Sequence, residues 1–256
     1  TRRTDIEGMR ALAVGLVVLN HAGVPWLSGG YIGVDVFFVI SGFLITQLLI
    51  DEAGESNSID LRNFWARRAR RILPMSILVT LATVVAGLFM LEPGKIRELS
   101  AVGLGALGFC DNIVLFFSTS AYLSGVTAPS SLRHFWSLAV EEQFYLIWPI
   151  FILVISKMGL RKIKLAISSV FAISLLFSIW QTQSSSILAF YSLHTRAWEL
   201  AAGALILFIP KSFSLKFIKN QQLPFLAGLG LITYAAIFFS SQTPFPGAAA
   251  LVPVIG

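Results

Sequence analysis

MRALAVGLVVLNH at 9–21 decides the fold. Apart from Arg10, Asn20 and His21 the stretch is apolar. Read with GGYIGVDVFFVISGFLIT at 29–46, it predicts two membrane helices, over about 9–24 and 31–50. Arg10 and His21 stand eleven positions apart. At about 100° and 1.5 Å per residue they share one face of a helix and differ in height by about 16 Å. Ionisable groups inside a bilayer are costly and face a bundle interior or a water-filled path. The spacing therefore predicts a polar channel inside a helix bundle, with His21 near one end.

The rest of the chain agrees. Of 256 residues, 56% are hydrophobic and only 12% charged, with a mean hydropathy of +0.79. A soluble domain of this size could not cover its surface with so few polar groups. The fold class expected is all-α, a polytopic transmembrane helix bundle. Further apolar runs lie at 72–91, 99–117, 136–156, 164–180, 196–209 and 222–240, and another begins near 247. Polar segments at 51–71 and 118–135 read as loops, the first of them cytoplasmic. The formal charge of +6 would point to nucleic acid in a soluble chain. Here the basic residues cluster at segment ends, as orientation in a bilayer demands, and no nucleic-acid partner is expected. The single Cys110 provides neither an intramolecular disulfide nor a zinc pattern, and no metal is expected. The chain does not open on Met and ends inside an apolar run, so it reads as one membrane domain, 1–256, of a longer protein.

Charge sets the orientation. Arg2, Arg3 and the basic runs at 67–71, 157–164 and 211–219 are expected on the cytoplasmic side, with a cytoplasmic N-terminus. Three candidate helices separate 71 from 157, one too many for both ends to share a side. The Gly-rich segment 99–117, with Gly103, Gly105, Gly108 and Asp111, is the weakest, and is expected to enter without a full crossing. His21, Asp35 and His134 then lie toward the outer face.

Several residues can carry chemistry. His21 suits a general base toward a hydroxyl, and Asp35 is placed to orient it. The plain alternative is a helix-capping or topology-setting Arg10 and a His21 snorkelling to the outer interface. Ser41 lacks the turn that exposes a nucleophilic serine, and Ser41-Gly42 reads as a packing device. Arg68 and Arg71 in RRARR lie one turn apart if helical. They can grip phosphates or merely set topology. His134, Ser137, Glu141, Tyr145 and Trp148 share a helix face, with Glu142 adjoining it. Arg196 and Glu199 form an i, i+3 pair, expected as a structural salt bridge or one reaching Glu141 or Glu142.

Together DIEGMRALAV, NHAG, GGYIGVDVFFVISGFLIT, FWARRARRILP, HFWSLAVEEQFYLIWP and FYSLHTRAWEL resemble the acyltransferase-3 family of integral membrane proteins. The likeness is closest to the bacterial branch that O-acylates cell-surface polysaccharides, and it spans 4–204; 205–256 adds only apolar helix. It implies an enzyme that moves an acyl group, commonly acetyl, from cytoplasmic acyl-CoA to a glycan hydroxyl at the outer face. O-antigen lipopolysaccharide, peptidoglycan or an exopolysaccharide would be the acceptor. Acyl-CoA enters as co-substrate, with no bound cofactor. By resemblance His21 is the catalytic histidine and Arg10 its partner. Arg68 and Arg71 match the motif associated with the donor, and Ser137, Glu141 and Glu142 fall in a family signature. The chain departs from the family pattern at Asp5, Glu7 and Met9 and at Arg133, Phe135 and His194. Members of this branch often carry an SGNH-type hydrolase domain after the bundle. A competing reading from composition is a proton-coupled transporter or flippase, which the intramembrane His, Asp, Glu and Arg would also suit; no inverted repeat supports it.

Overall fold

The computed structural model describes residues 3–56, 58–123, 131–209 and 222–256. Among them there are only helices and turns, as the composition predicts. The first helix, α1 (Thr4–His21), begins with Asp5 and Glu7 in its first turn, acids that complement the helix dipole, and ends with His21 in its last. A single 3₁₀ turn (Gly30–Ile32) leads into α2 (Gly33–Ser56). Then come α3 (Leu61–Met90), α4 (Pro93–Leu107), α5 (Asp111–Leu123), α6 (Phe135–Ser156), α7 (Leu160–Ser184), the short α8 (Ser186–Tyr191), α9 (Leu193–Ile206), α10 (Gln222–Phe238) and α11 (Leu251–Ile255).

Four stretches, Gly30–Ser56, α3, α6 and α7, are long and apolar enough to cross a membrane. On α3 and α7 the exposed side is itself apolar, with Leu78, Leu81, Leu88, Leu165, Ile173 and Leu176 outward. Such a face is tolerable against lipid and a liability in water. The buried partners sit inside: α2, α6 and α9 supply Phe38, Ile45, Leu49, Val140, Phe144, Trp148, Leu200 and Ala204.

Helices α2 and α9 approach each other closely. A Cβ at Gly42 would stand 1.9 Å from the Leu200 carbonyl oxygen, and one at Gly203 1.9 Å from that of Val39. Small residues on both helices let the backbones touch, which is how membrane helices associate without a hydrophobic driving force.

Three expectations about boundaries are corrected. The segment 51–71 is not a loop. Helix α2 runs on to Ser56, and α3 starts at Leu61, capped by the Asp60 side chain accepting from the Asn63 N–H at 2.9 Å. Glu52 accepts from the Asp60 N–H at 2.8 Å and pairs with Arg67 at 3.7 Å, so polar composition here marks helix ends. The run 67–71 is thus helical, on α3. Next, 99–117 is two helices, broken at Gly108–Cys110 where Phe109 adopts φ 52° and the Cys110 N–H bonds back to the Gly105 oxygen at 2.8 Å. At 15 and 13 residues, α4 and α5 are about 20 Å long, short of the ~30 Å of a hydrocarbon core. Lastly, α5 continues to Leu123, into the segment 118–135 expected as a loop. Arg2, 124–130 and the basic run 211–219 lie outside the described residues.

Candidate functional site

The site grows from the end of α1. The Asn20 side chain donates to the carbonyls of Leu27 and Ser28, at 2.9 and 3.0 Å, and folds the following turn back on the helix. The Ser28 hydroxyl donates to the Phe239 carbonyl at 2.7 Å and the Gly29 N–H to that of Ala236 at 3.0 Å, fastening the turn to α10. His21 is held at this corner, exposed. Its Nδ1 lies 2.8 Å from the Val17 carbonyl oxygen. A carbonyl can only accept, so Nδ1 carries the proton, and in the neutral ring the lone pair is on Nε2. That is the tautomer a general base requires.

Asp35 is not what holds it. From sequence this carboxylate is expected to orient His21; the structure pairs it with Arg196 at 3.1 Å. Arg196 also meets Glu199 at 2.9 Å, the expected i, i+3 salt bridge. It does not reach Glu141 or Glu142. All three side chains are fully buried, ringed by Phe38, Trp136, Phe190 and Phe245, whose centroids lie 5.5–5.7 Å from the guanidinium carbon. The misplacement has a simple cause. Asp35 and His21 flank the same turn in sequence, but the first turn of α2 directs the carboxylate to α9.

His21 opens on a cavity of about 480 Å³ lined also by Tyr31, Arg133, His134, Trp136, Ser137 and Phe190. We call this the histidine cavity. Ser240, Ser241 and Thr243 complete it, with Tyr31 donating to the Ser240 carbonyl at 3.3 Å. These residues were missed because 205–256 reads as apolar helix; the polar break SSQT at 240–243 was the available signal.

A second cavity, of about 390 Å³, collects Arg10 from α1, Arg68, Arg71 and Ser76 from α3, and Leu138 and Glu141 from α6. The Arg10 guanidinium lies over Phe37 at 5.1 Å, and that of Arg68 over Tyr145 at 4.3 Å. Glu141 is buried and accepts from the hydroxyl of Tyr145, on the same helix face, and from that of Ser41, which sequence alone did not connect to it. Glu142 interacts electrostatically with Arg68, while its Oε1 is buried without a hydrogen bond.

The two cavities share one described residue, His134. It stands at the start of α6, and its carbonyl accepts from the Ser137 hydroxyl at 3.4 Å. The protein packed around the ring and the nearby His21 hold its pKa below the ordinary histidine value, against a hydrogen bond to the Ser131 backbone that favours the charged form. Arg10 and His21, on one face of α1, thus look into adjoining cavities that meet at a second histidine.

The family described as an acyltransferase domain, acyltransferase-3, matches residues 3–255. The chain belongs to this family. This acyltransferase domain is 36% identical over 210 residues to peptidoglycan O-acetyltransferase OatA of Listeria monocytogenes, covering 80% of the chain and 33% of the relative. It is 35% identical over 214 residues to O-acetyltransferase OatA of Staphylococcus aureus, covering 82% and 35%. The domain thus spans about a third of the length of these relatives. No solved structure matches it. The acyltransferase is a membrane protein by its helices, and the residues that carry the family resemblance divide in two. Arg10, His21, Arg68, Arg71, Ser137 and Glu141 gather on the two cavities, with Glu142 beside Arg68, whereas Asp35, Arg196 and Glu199 form a closed core.

Proposed function

We propose that the domain transfers an acetyl group from acyl-CoA to a hydroxyl of a cell-envelope glycan, across the membrane. The observation that carries the reading is the meeting of the two cavities at His134, with an imidazole lone pair in one and three arginines in the other. Coenzyme A presents phosphates, which the guanidinium fork suits, and a long flexible arm that ends in the thioester. With its phosphates on Arg68 and Arg71, at the cytoplasmic side, the arm runs past Arg10 to His134. The acceptor enters the histidine cavity from the outer side.

The chemistry is direct. His21 Nε2 takes the proton of the acceptor hydroxyl as its oxygen attacks the thioester carbon. The tetrahedral oxyanion collapses, the carbon–sulfur bond breaks, and the proton passes to the departing thiolate. One ester and one free thiol result. Arg10 places a positive charge on the path of the thioester. The names of the relatives make peptidoglycan the first acceptor to try.

The experiment uses the full-length protein in sealed vesicles, with acetyl-CoA on one side and glycan on the other. Coenzyme A release that requires the glycan, and that appears only when donor faces the loop 157–159, supports the reading. Glycan crossing without acetylation would favour a carrier.

A further inference from the structure

The Arg133 guanidinium has no ion-pair partner among the described residues. The residue lies in the turn before α6, half-buried, on the wall of the histidine cavity. Its Nε is closed off from solvent without a hydrogen bond. No Asp or Glu is among the residues that line this cavity. A partly desolvated cation without a counter-ion costs free energy unless an anion arrives to neutralise it. Arg196 shows the contrast within the same molecule: where this chain buries a guanidinium for structure, it supplies two carboxylates. The surroundings of Arg133 suit a sugar, with the hydroxyls of Tyr31, Ser137 and Ser241 alternating with the rings of Trp136 and Phe190.

We propose that Arg133 is an anion subsite for the acceptor, so that the sugar receiving the acetyl group bears a carboxylate or phosphate close to the reacting hydroxyl. The inference rests on the acyltransferase reading and names the substrate class of the same site. The anion supplies the counter-charge that the cavity lacks, and the planar fork of the guanidinium fixes the sugar's orientation through paired hydrogen bonds. With His21 on the same cavity, an anchored anion would bring one hydroxyl, of the several on a sugar, to Nε2. Arg133 would then choose the position acetylated while taking no part in proton transfer.

The test uses purified full-length protein in nanodiscs with radiolabelled acetyl-CoA. Three acceptors are compared: the disaccharide of N-acetylglucosamine and N-acetylmuramic acid with its free lactyl carboxylate, the corresponding carboxamide, and that carboxamide carrying a 1-phosphate. In wild type, kcat/KM should favour an anionic acceptor over the plain carboxamide by about ten- to a hundredfold, mainly through KM, as a charge-assisted contact predicts. Whether carboxylate or phosphate is preferred identifies the source of the charge. Arg133→Gln should bring that ratio close to one, and Arg133→Lys should retain part of it. A wild-type ratio near one, or a ratio kept in Arg133→Gln, overturns the proposal. Equal loss on all three acceptors with the ratio kept would mean that Arg133 only braces the turn. Absence of any transfer or coenzyme A release by wild type would instead overturn the acyltransferase reading, and the subsite with it.

Discussion

Two regions of this bundle handle their ionisable side chains in opposite ways. Around Arg196 the guanidinium meets Asp35 and Glu199 within 3.1 Å, inside a shell of aromatic rings and out of reach of solvent. Around the two cavities, Arg10, Arg68 and Arg71 gather at one end and Arg133 and His21 at the other. None of these five makes an ion pair with a described residue. A charge neutralised in place ties helices together, here α2 to α9. One that makes no ion pair and lines a cavity is open to a ligand, although Glu142 still acts electrostatically on Arg68. In a membrane protein every ionisable residue looks functional from sequence, and the state of its counter-charge separates the two roles.

The largest expected effect breaks the open region. His21→Ala removes the base and should lower acetyl transfer by about 10²–10⁴-fold, the range general bases contribute. Membrane insertion and thermal stability should hold, because the exposed ring packs little. Near-wild-type transfer in that variant would dissolve the functional side of the contrast.

Breaking the closed region should instead cost stability. Arg196→Met leaves two buried carboxyls without their cation, a loss of about 3–5 kcal/mol in the melting of the detergent-solubilised protein. Adding Asp35→Asn and Glu199→Gln to the same chain removes the stranded charges and should recover most of that loss. If the triple variant folds as wild type and transfers nothing, the core does more than tie helices.

A smaller effect sharpens what the arginines do. The double variant Arg68→Lys, Arg71→Lys keeps the charge and gives up the fork. It should insert normally but raise KM for acyl-CoA about ten- to a hundredfold. Unchanged kinetics would return these residues to topology alone.

The smallest effect lies at the junction. The folded pKa of His134 is depressed below its unfolded value, so between the two the unfolded chain binds more protons. Its contribution to stability is complete above the ordinary histidine pKa of ~6.5 and is lost as pH falls through the depressed value. Melting temperatures from pH 7.5 to 5 should fall less steeply in His134→Gln than in wild type. Parallel slopes would show that the ring is not desolvated where the cavities meet.

Much of this was readable in residues. Leu-, Val- and Phe-rich runs with so few charges can satisfy their backbone only as helices in lipid, so the fold class followed from composition. Arg10 and His21 were bound to share a face by helical period alone, and Arg68 and Arg71 to lie a turn apart. The Gly-rich weakness of 99–117 was visible, although its resolution into two helices needed the turn at Phe109. Helix ends were harder, because 51–71 is polar in the way loops are, and only the Asp60 cap and the Glu52 contacts showed where α3 begins.

What the tertiary structure alone decided is pairing. Asp35 is fourteen residues from His21 and far along the chain from Arg196, yet it belongs to Arg196, because α2 and α9 touch through Gly42 and Gly203. The same holds for Ser41 with Glu141, and for Ser240, Ser241 and Thr243 opposite His21. Periodicity places residues on a face of their own helix; which face it meets depends on packing between helices distant in sequence, and no local pattern encodes that.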